Sequence, residues 1–490
     1  MLVLWMGTFL AEMVLYALPL AWQYRRGISP LLGVVILVTT LGLMRDVGLG
    51  AGVLLVFLGL YRLGNILRII KGRMHQQYLR QAFGRTGLWL FLIHAAVMVV
   101  IVLPLVLVPT GFWQVLTGFQ LLVAVGFLVI IVKNILKLRF NSPDNFLTDR
   151  ELPTVTVAIP ARNETDQLQA CLQSLLLNDY PKLEIIVLDD CSQRPVSQII
   201  KEFAHDGVRF VNGLQPVERW LAKNQAYQKL YQEATGDLIL FCGVDARFGP
   251  QAIRAMVNLL YARNKSMLSV LPVRTVHSPS ADLIQPTRYW WLLALPRRLF
   301  SRPAVLSTCW MIGRGDLKKL GGFSAVSHSI LPENYFAREL IKTDQYSFVR
   351  SSAELQVQTT KNFHEQYDTA IRTHYPLLRR RPENVLIMSF FSVIFFLGPF
   401  AGLVVALWSQ TSIILPILAC LVLLVCHVLI VRSTDPSNTM LAVLTFPTVV
   451  LMRLWLDYSS MSQYEFGRVE WKDRNICIPV MHVIPKLPEL

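Results

Sequence analysis

Residues 154–190 read TVTVAIPARNETDQLQACLQSLLLNDYPKLEIIVLDD, and this stretch decides the fold. It contains an apolar strand pattern, TVTVAIP, a helical pattern over Asp166–Leu177 and a second strand pattern, LEIIVLD. The alternation continues with helices over Val196–Phe203 and Leu221–Ala234 and with the strand patterns VRFVN and DLILFC. Strands that alternate with helices predict an α/β domain with a mostly parallel, Rossmann-like doubly wound sheet. The nearly continuous apolar character of the strands predicts helices on both faces of that sheet.

Apolar segments flank this region on both sides. The chain has 490 residues, of which 53% are hydrophobic and 16% charged, a composition that predicts membrane spans. The predicted spans are Leu2–Trp22, Ile28–Met44, Val47–Tyr61, Gly87–Val108, Phe112–Val132, Val385–Leu407 and Ile413–Val431. A further apolar run, Met440–Trp455, is either a span or a helix that lies in the membrane interface.

Basic residues cluster beside the predicted spans and account for much of the formal net charge of +15. The clusters lie at 25–26, 62–85 and 133–139. Basic residues next to spans follow the positive-inside rule and attract anionic lipid. We therefore interpret them as determinants of topology and not as a nucleic-acid surface, with the N-terminus outside and the central domain in the cytoplasm.

These patterns divide the chain into four parts. They are an N-terminal transmembrane region (1–140) with about five spans, a cytoplasmic α/β domain (150–382), C-terminal transmembrane or interfacial helices (383–460) and a cytoplasmic tail (461–490). The prediction is an integral protein of a bacterial cytoplasmic membrane, with the α/β domain embedded between α-helical transmembrane segments.

Polar residues follow three of the predicted strands. The first strand ends in PARNET (160–165), the second in Asp189 and Asp190, and the fourth in Gly243, Val244 and Asp245. Ligands of doubly wound sheets bind outside the carboxyl ends of the strands. Carboxylates at this edge suit a divalent cation and the hydroxyls of a ribose or base, and neither G-x-G-x-x-G nor a Walker A sequence is present. The alternative for the aspartate pair is a turn cap after a strand.

An ordered series of segments resembles a family 2 glycosyltransferase of the GT-A fold. The segments are TVAIPARNE, CLQSLLLNDYPKLEIIVLDDCS, WLAKNQA, ATGDLILFCGVDARFGP, LGGFSA and LPENYFAREL, followed near the C-terminus by GRVEWKDR. The resemblance covers residues 153–376 and that tail. It implies an enzyme that takes a sugar from a nucleotide-diphospho-sugar.

The resemblance also implies roles for residues at the first strand ends and at the following helix. Pro160 and Glu164 would line the nucleotide pocket. Asp190 would hold the uracil or ribose, with Asp189 behind it. Lys223 would approach the donor sugar or the diphosphate, and its alternative is a solvated lysine at the start of a helix.

The sequence departs from the family at the metal site. Where the family has D-x-D, Gly243 takes the place of the first aspartate and Asp245 that of the second, which is generally the metal ligand. One protein carboxylate is enough for Mg²⁺ or Mn²⁺, because the diphosphate and water supply further oxygens. Recognition of the sugar would lose the carboxylate that Gly243 replaces.

The expected general base is altered as well. The family has an E-D pair whose aspartate is the base, and here the pair reads Glu333-Asn334. Because an asparagine cannot accept the proton at neutral pH, Glu333 is the candidate base. The alternative is that Glu333 only stabilises the first turn of a helix.

Two residues before the C-terminal spans loosely resemble the Q-x-x-R-W element of processive synthases. Gln366 is a candidate donor-binding residue, and Arg372 is a candidate for neutralising the leaving diphosphate. The tryptophan of that element is missing and the spacing differs.

The leading hypothesis is a membrane-bound inverting glycosyltransferase. It would move a sugar from a nucleotide-diphospho-sugar, a UDP-sugar, to a lipid or lipid-linked glycan acceptor. A second hypothesis is a catalytically altered relative that binds nucleotide sugars or acts as a scaffold. A third is a transporter or polymer exporter with an attached regulatory domain, which the scarcity of polar residues within the spans disfavours.

Overall fold

The structure is a computed structural model of the chain. It describes residues 4–5, 7–8, 11, 31–40, 110–139, 146–164, 166–193, 197–217, 220–275, 279–295, 303–408, 410–434 and 439–477. The predicted spans Val47–Tyr61 and Gly87–Val108 lie outside the described residues. Of Leu2–Trp22 only five residues are described, and Ile28–Met44 is described as a short apolar helix, Leu31–Thr40.

The chain divides into two compact units. One consists of Met1–Ala124, Ile371–Val422 and Arg453–Val469. The other consists of Val125–Ala370, Leu423–Met452 and Glu470–Leu490, and it contains the α/β domain.

A seven-stranded sheet forms the centre of the α/β domain, with the order β3-β2-β1-β4-β8-β6-β9. Its strands are β1 Val155–Ala161, β2 Leu183–Asp189, β3 Val208–Asn212, β4 Leu238–Cys242, β6 Met267–Leu271, β8 Cys309–Gly313 and β9 Tyr346–Arg350. A smaller sheet has the order β5-β10-β7, with β5 Ala246–Phe248, β7 Val273–Arg274 and β10 Val357–Thr359. A C-terminal hairpin pairs β11 Glu470–Trp471 with β12 Arg474–Asn475.

Helices connect these strands and continue into the apolar segments. In chain order, the main helices of the described residues are α1 Leu31–Thr40, α2 Thr110–Leu138, α3 Asp166–Leu176, α4 Ser197–Phe203, α5 Ala222–Glu233, α6 Ala252–Ala262, α7 Pro279–Ala294, α8 Arg314–Lys319, α9 Pro332–Lys342, α10 Phe363–Leu377, α11 Pro382–Ser392, α12 Gly398–Trp408, α13 Ile414–Thr434 and α14 Thr439–Glu465. Short 3₁₀ turns lie at Ala204–Asp206 and Gly322–Val326, and a π-helical turn at Val393–Leu397 joins α11 to α12.

The α/β prediction is confirmed. The strands β3, β2, β1 and β4 are parallel neighbours, as the alternating pattern predicted. Beyond them β8 runs antiparallel to both β4 and β6. This reversed strand places Thr308, the residue before β8, beside Gly243 at the carboxyl end of β4, where Gly243 N donates to Thr308 O at 3.2 Å.

Burial follows the sequence pattern on both faces of the sheet. All five residues of β4 are buried, as are six of the seven in β1. On α3 the buried residues are Leu168, Cys171, Leu172 and Leu175, which share one face because they are three or four positions apart. The packing fixes the strand ends, and with them the polar residues that follow.

Three described helices are long and apolar enough to cross a membrane, and they indicate an integral membrane protein. They are Trp113–Leu138, Pro382–Leu407 and Ile414–Thr434. The predicted spans Phe112–Val132, Val385–Leu407 and Ile413–Val431 fall on them. The run Met440–Trp455 belongs to the longer helix α14, which is not among the three.

Candidate active site

Asp245 lies in the turn between β4 and β5, at the carboxyl end of the central sheet. Its Oδ2 accepts a hydrogen bond from Thr359 Oγ1 at 2.9 Å, and Lys361 Nζ lies 3.8 Å from the same oxygen. The register of β5 with β10, in which Ala246 faces Thr359, brings these partners to the carboxylate. Oδ1 accepts no hydrogen bond from the described residues. The carboxylate is thus held by one oxygen and presents the other.

Gly243 allows the Asp245 carboxylate to adopt this position. A Cβ at residue 243 would lie 2.5 Å from Asp245 Oδ1, closer than Cβ atoms come to other heavy atoms. The glycine that replaces the first aspartate of the family pattern therefore leaves room for the remaining one.

A cavity with cationic walls lies beside Asp245. Its lining includes Thr359 and Lys361, the two partners of that carboxylate, together with Arg274 and Arg288. Gln366 also lines the cavity, and its Nε2 donates to the backbone oxygen of Lys361 at 3.1 Å. Positive charges of this kind suit a diphosphate. The sequence singled out Gln366, but none of the three cations.

Glu333 lies in the first turn of α9, is 2% exposed and has a buried Oε2 with no hydrogen-bond partner among the described residues. The loop before the helix is fixed by the buried Asn224, whose Nδ2 lies within hydrogen-bonding distance of the carbonyls of Val326, Ser327 and Ser329. A buried carboxylate oxygen without a partner is costly in a structural role. The neighbouring Asn334 is half-buried.

Tyr227 lies close enough to both Glu333 and Asp245 to interact with their charges. Burial raises the pKa of this phenol well above its ordinary value, and the charges of both carboxylates raise it further. Its ring stacks on Phe323, 5.2 Å between centroids, and Lys223 Nζ lies 5.2 Å from the ring centroid. The charges of both candidate carboxylates therefore raise the pKa of the same buried phenol, and the Lys223 ammonium lies over the ring of that tyrosine.

The polar residues after β1 and β2 meet at one edge of the sheet. Pro160 pairs with Leu188, one position before the end of each strand. Asp189 caps the following turn, because its Oδ1 accepts from the backbone N of Ser192 at 3.1 Å and from its hydroxyl at 2.5 Å. Asp190 is 3% exposed.

The C-terminal hairpin, residues Glu470–Asn475, contacts this edge. Arg474 Nη1 donates to Asp190 Oδ2 at 2.7 Å, and Lys472 forms an ion pair with Glu164. Arg162, directly after β1, donates from Nε to the backbone oxygen of Lys472 at 2.9 Å and from Nη1 to the backbone oxygen of Asp190 at 2.7 Å. The segment GRVEWKDR singled out the tail in the sequence, but it did not predict these contacts with the strand ends.

Arg372 belongs to the other compact unit. There its backbone oxygen accepts a hydrogen bond from the Tyr464 hydroxyl at 2.7 Å. Its role in neutralising the diphosphate stays a prediction.

Asp245 is the residue that fits a divalent cation. Mg²⁺ and Mn²⁺ prefer oxygen ligands, and Asp245 Oδ1 is such an oxygen. The described residues contain no cluster of three His, Cys, Asp or Glu side chains, so a cation here would take its other ligands from substrate and water. This donor set fits a metal that binds together with a diphosphate.

The family comparison agrees with this geometry. Residues 156–321, which run from β1 past β8, match the model of "Glycosyl transferase family 2". Residues 156–321 are therefore a glycosyl transferase family 2 domain, with apolar helices of membrane-spanning length before and after it.

Curated relatives are similar over part of the chain. "Probable glycosyltransferase YdaM" of Bacillus subtilis is 30% identical over 186 residues, which are 36% of this chain and 44% of that protein. "Glycosyltransferase AglE" of Haloferax volcanii is 29% identical over 98 residues, 19% of this chain and 31% of that protein. The chain thus spans less than half the length of these relatives.

Solved structures are similar at lower identity. The mannosyltransferase PcManGT from Pyrobaculum calidifontis, in complex with GDP-Man and Mn²⁺, is 15% identical, with a TM-score of 0.42 over 70% of this chain and 97% of that one. TarS of S. aureus in complex with UDP-GlcNAc is 13% identical, with a TM-score of 0.32 over 64% of this chain and 92% of that one.

Proposed function

We propose that this protein is a membrane-bound inverting glycosyltransferase that moves a sugar from a nucleotide-diphospho-sugar, a UDP-sugar, to a hydroxyl of a lipid or lipid-linked glycan. The observation that carries the proposal is the Asp245 carboxylate, held by Thr359, a residue that also lines a cationic cavity in a family 2 domain. The nucleoside would lie toward Pro160, Glu164 and Asp190, and the diphosphate toward Asp245.

Different residues assist the attack of the acceptor and the departure of the diphosphate in a single displacement reaction. The acceptor oxygen forms a bond to the anomeric carbon, and the bond from that carbon to the diphosphate oxygen breaks, leaving its electron pair on the nucleoside diphosphate. Glu333 accepts the hydroxyl proton at its unpartnered Oε2. Lys361, Arg274 and Arg288 stabilise the negative charge of the departing diphosphate. Asp245 would hold a divalent cation, which would supply further positive charge to the diphosphate.

The apolar helices support an acceptor that is presented at a membrane. A domain between α2 and α11 is joined through both of its ends to segments of membrane-spanning length. The orientation we propose places the catalytic domain and the tail in the cytoplasm of a bacterial cell, as the basic clusters beside the spans indicate.

Binding and turnover measured on matched variants test the proposal. Calorimetry of the detergent-purified protein with UDP- and GDP-sugars, with and without Mn²⁺, identifies the donor. We expect Asp245→Asn to abolish the effect of Mn²⁺ on binding, and Asp316→Asn, on the outer helix α8, to leave it unchanged. We expect Glu333→Gln to lower kcat by about 10²-fold or more with little change in donor affinity. Glu339→Gln, on the same helix, is its control.

Two outcomes would contradict the proposal. Donor binding without any transfer to lipid acceptors, in wild type and variants alike, would favour the nucleotide-sugar-binding relative. Failure of the wild-type protein to bind any nucleotide sugar would remove the enzymatic assignment.

A further inference from the structure

The C-terminal hairpin reaches the site from outside the matched family domain. Asp190 and Arg474 are 284 residues apart in the chain, and their side chains are 4% and 15% exposed. The hairpin also reaches Glu164 and Arg162, so it contacts the ends of both β1 and β2. These are the strand ends that would hold the nucleoside.

The turn of the hairpin has residues that its backbone does not favour. Lys472 and Asp473 have φ values of 50° and 64°, the left-handed conformation of a two-residue turn that favours Asn-Gly. Both side chains instead contact the strand-end loop, Lys472 at Glu164 and Asp473 Oδ2 at Asn163 Nδ2, 3.3 Å away. The two turn residues therefore contact the α/β domain, although other residues would form the turn more easily.

The Asp190 carboxyl is buried beside Arg474. Burial raises the pKa of this carboxyl above its ordinary value, and neighbouring Asp189 raises it further. The hydrogen bond and charge of Arg474 are the strongest opposing influences, followed by the charge of Arg162. The ion pair uses Oδ2, and Oδ1 accepts no hydrogen bond from the described residues.

We propose that Arg474 is a positioning residue of the donor site. It holds the buried Asp190 by Oδ2, so that Oδ1 faces the hydrogen-bond donors of the nucleoside, either the ribose hydroxyls or the N–H of the base. The proposal rests on the proposed function. In this proposal the tail forms part of the nucleotide pocket, although it lies more than a hundred residues beyond the family 2 match.

Calorimetry with UDP, GDP and inorganic pyrophosphate on the full-length protein tests this role. We expect Arg474→Ala to weaken binding of the nucleoside diphosphate by about tenfold or more, because a buried carboxylate loses its partner. Pyrophosphate, which has no nucleoside, should bind as it does to wild type. In turnover, KM for the donor should rise while kcat changes little. Arg474→Lys should restore part of the affinity.

Two further variants separate positioning from stability. Arg468→Ala removes an exposed arginine of the same tail and should change nothing. The double variant K472N with D473G supplies a favoured turn sequence and keeps Arg474, so its affinity for the nucleoside diphosphate should stay within about threefold of wild type. An equal loss in this double variant and in Arg474→Ala would overturn the assignment to Arg474.

Other results are equally decisive. Tighter binding or faster turnover in Arg474→Ala would mean that the hairpin obstructs the site, and would overturn the proposal. Unchanged binding in Arg474→Ala, beside a loss of Mn²⁺-dependent binding in Asp245→Asn, would overturn the positioning role alone. Absence of nucleotide binding by the wild-type protein would instead contradict the proposed function.

Discussion

At the scale of single residues, the position of the Asp245 carboxylate depends on the absence of a side chain at Gly243. The carboxylate is held at Oδ2 by Thr359, and its Oδ1 occupies space that any side chain at 243 would enter. Restoring the missing family aspartate at 243 would therefore displace the aspartate that remains.

The first prediction is that Gly243→Ala impairs metal-dependent donor binding. A Cβ placed 2.5 Å from Asp245 Oδ1 forces the carboxylate to rotate away from the position that suits a cation. We expect the Mn²⁺-dependent part of donor affinity to fall by about tenfold, which corresponds to about 1.4 kcal/mol. Calorimetric titration with and without Mn²⁺ measures it.

Gly315→Ala is the matched control for this substitution. Nothing lies within 4 Å of a Cβ at residue 315, so the same chemical change should leave binding intact. Equal donor affinity in Gly243→Ala and wild type would show that Asp245 does not act through the observed conformation.

At the scale of elements, α10 and α14 are joined by buried polar contacts in the unit that contains residues 371–422 and 453–469. Asp457 lies 2.8 Å from His374 Nδ1 and 2.9 Å from Arg453 Nε. The Tyr375 hydroxyl donates to Glu465 Oε1 at 2.6 Å. Buried polar and ionic contacts fix the register of packed helices in some proteins.

The second prediction concerns acid stability. Burial would raise the pKa of Asp457, but Arg453 and His374 outweigh it and hold the pKa below its ordinary value. A lowered folded-state pKa gives stability that is complete above the unfolded pKa, about 4, and is lost as the pH falls through the folded value. Asp457→Asn should cost about 3–5 kcal/mol at neutral pH. Its thermal midpoint should also fall less than that of wild type below pH 4.

Thermal unfolding in detergent between pH 3 and 7 checks this prediction. Asp368→Asn, an exposed carboxylate on α10, serves as the control. Parallel pH profiles for wild type and Asp457→Asn would contradict the assignment.

The elements themselves were largely predictable. The strand patterns LEIIVLD and VRFVN coincide with β2 and β3, and Leu221–Ala234 exceeds α5 by one residue at each end. The β2 prediction succeeds because a strand covered on both faces is nearly continuously apolar, whereas the edge strand β3, with exposed Arg209 and Asn212, is recognised from a short β-rich run. Local pattern was also enough to place Asp245 at a sheet edge.

At the scale of the whole molecule, what escaped prediction is what depends on distant segments. The cavity combines Arg274 from β7, Arg288 from α7 and Lys361 after β10, and no short motif contains them. The Asp190–Arg474 pair joins residues that no periodicity links. Residue types and strand ends indicate a site, but the tertiary fold decides which cations face it.

The contact of the C-terminal hairpin with Asp190 also restricts membrane topology, because both must lie on one side of the bilayer. α14 connects the apolar α13 to the hairpin along the chain and carries the buried charged residues Arg453 and Asp457, which are costly in a membrane. The last prediction is therefore that Asp473 and the catalytic domain are modified from the same side. The alternative, in which α14 spans, would place the tail across the membrane from Asp190.

Cysteine labelling in oriented vesicles measures this. Six of the seven natural cysteines are buried, so Cys191→Ser provides a nearly unreactive background. In that background we expect Asp473→Cys and Leu214→Cys, on the exposed surface of the α/β domain, to react with an impermeant maleimide in inside-out vesicles and to be protected in right-side-out vesicles. Opposite labelling of the two sites would contradict the contact between the hairpin and the donor site, and with it the positioning role of Arg474.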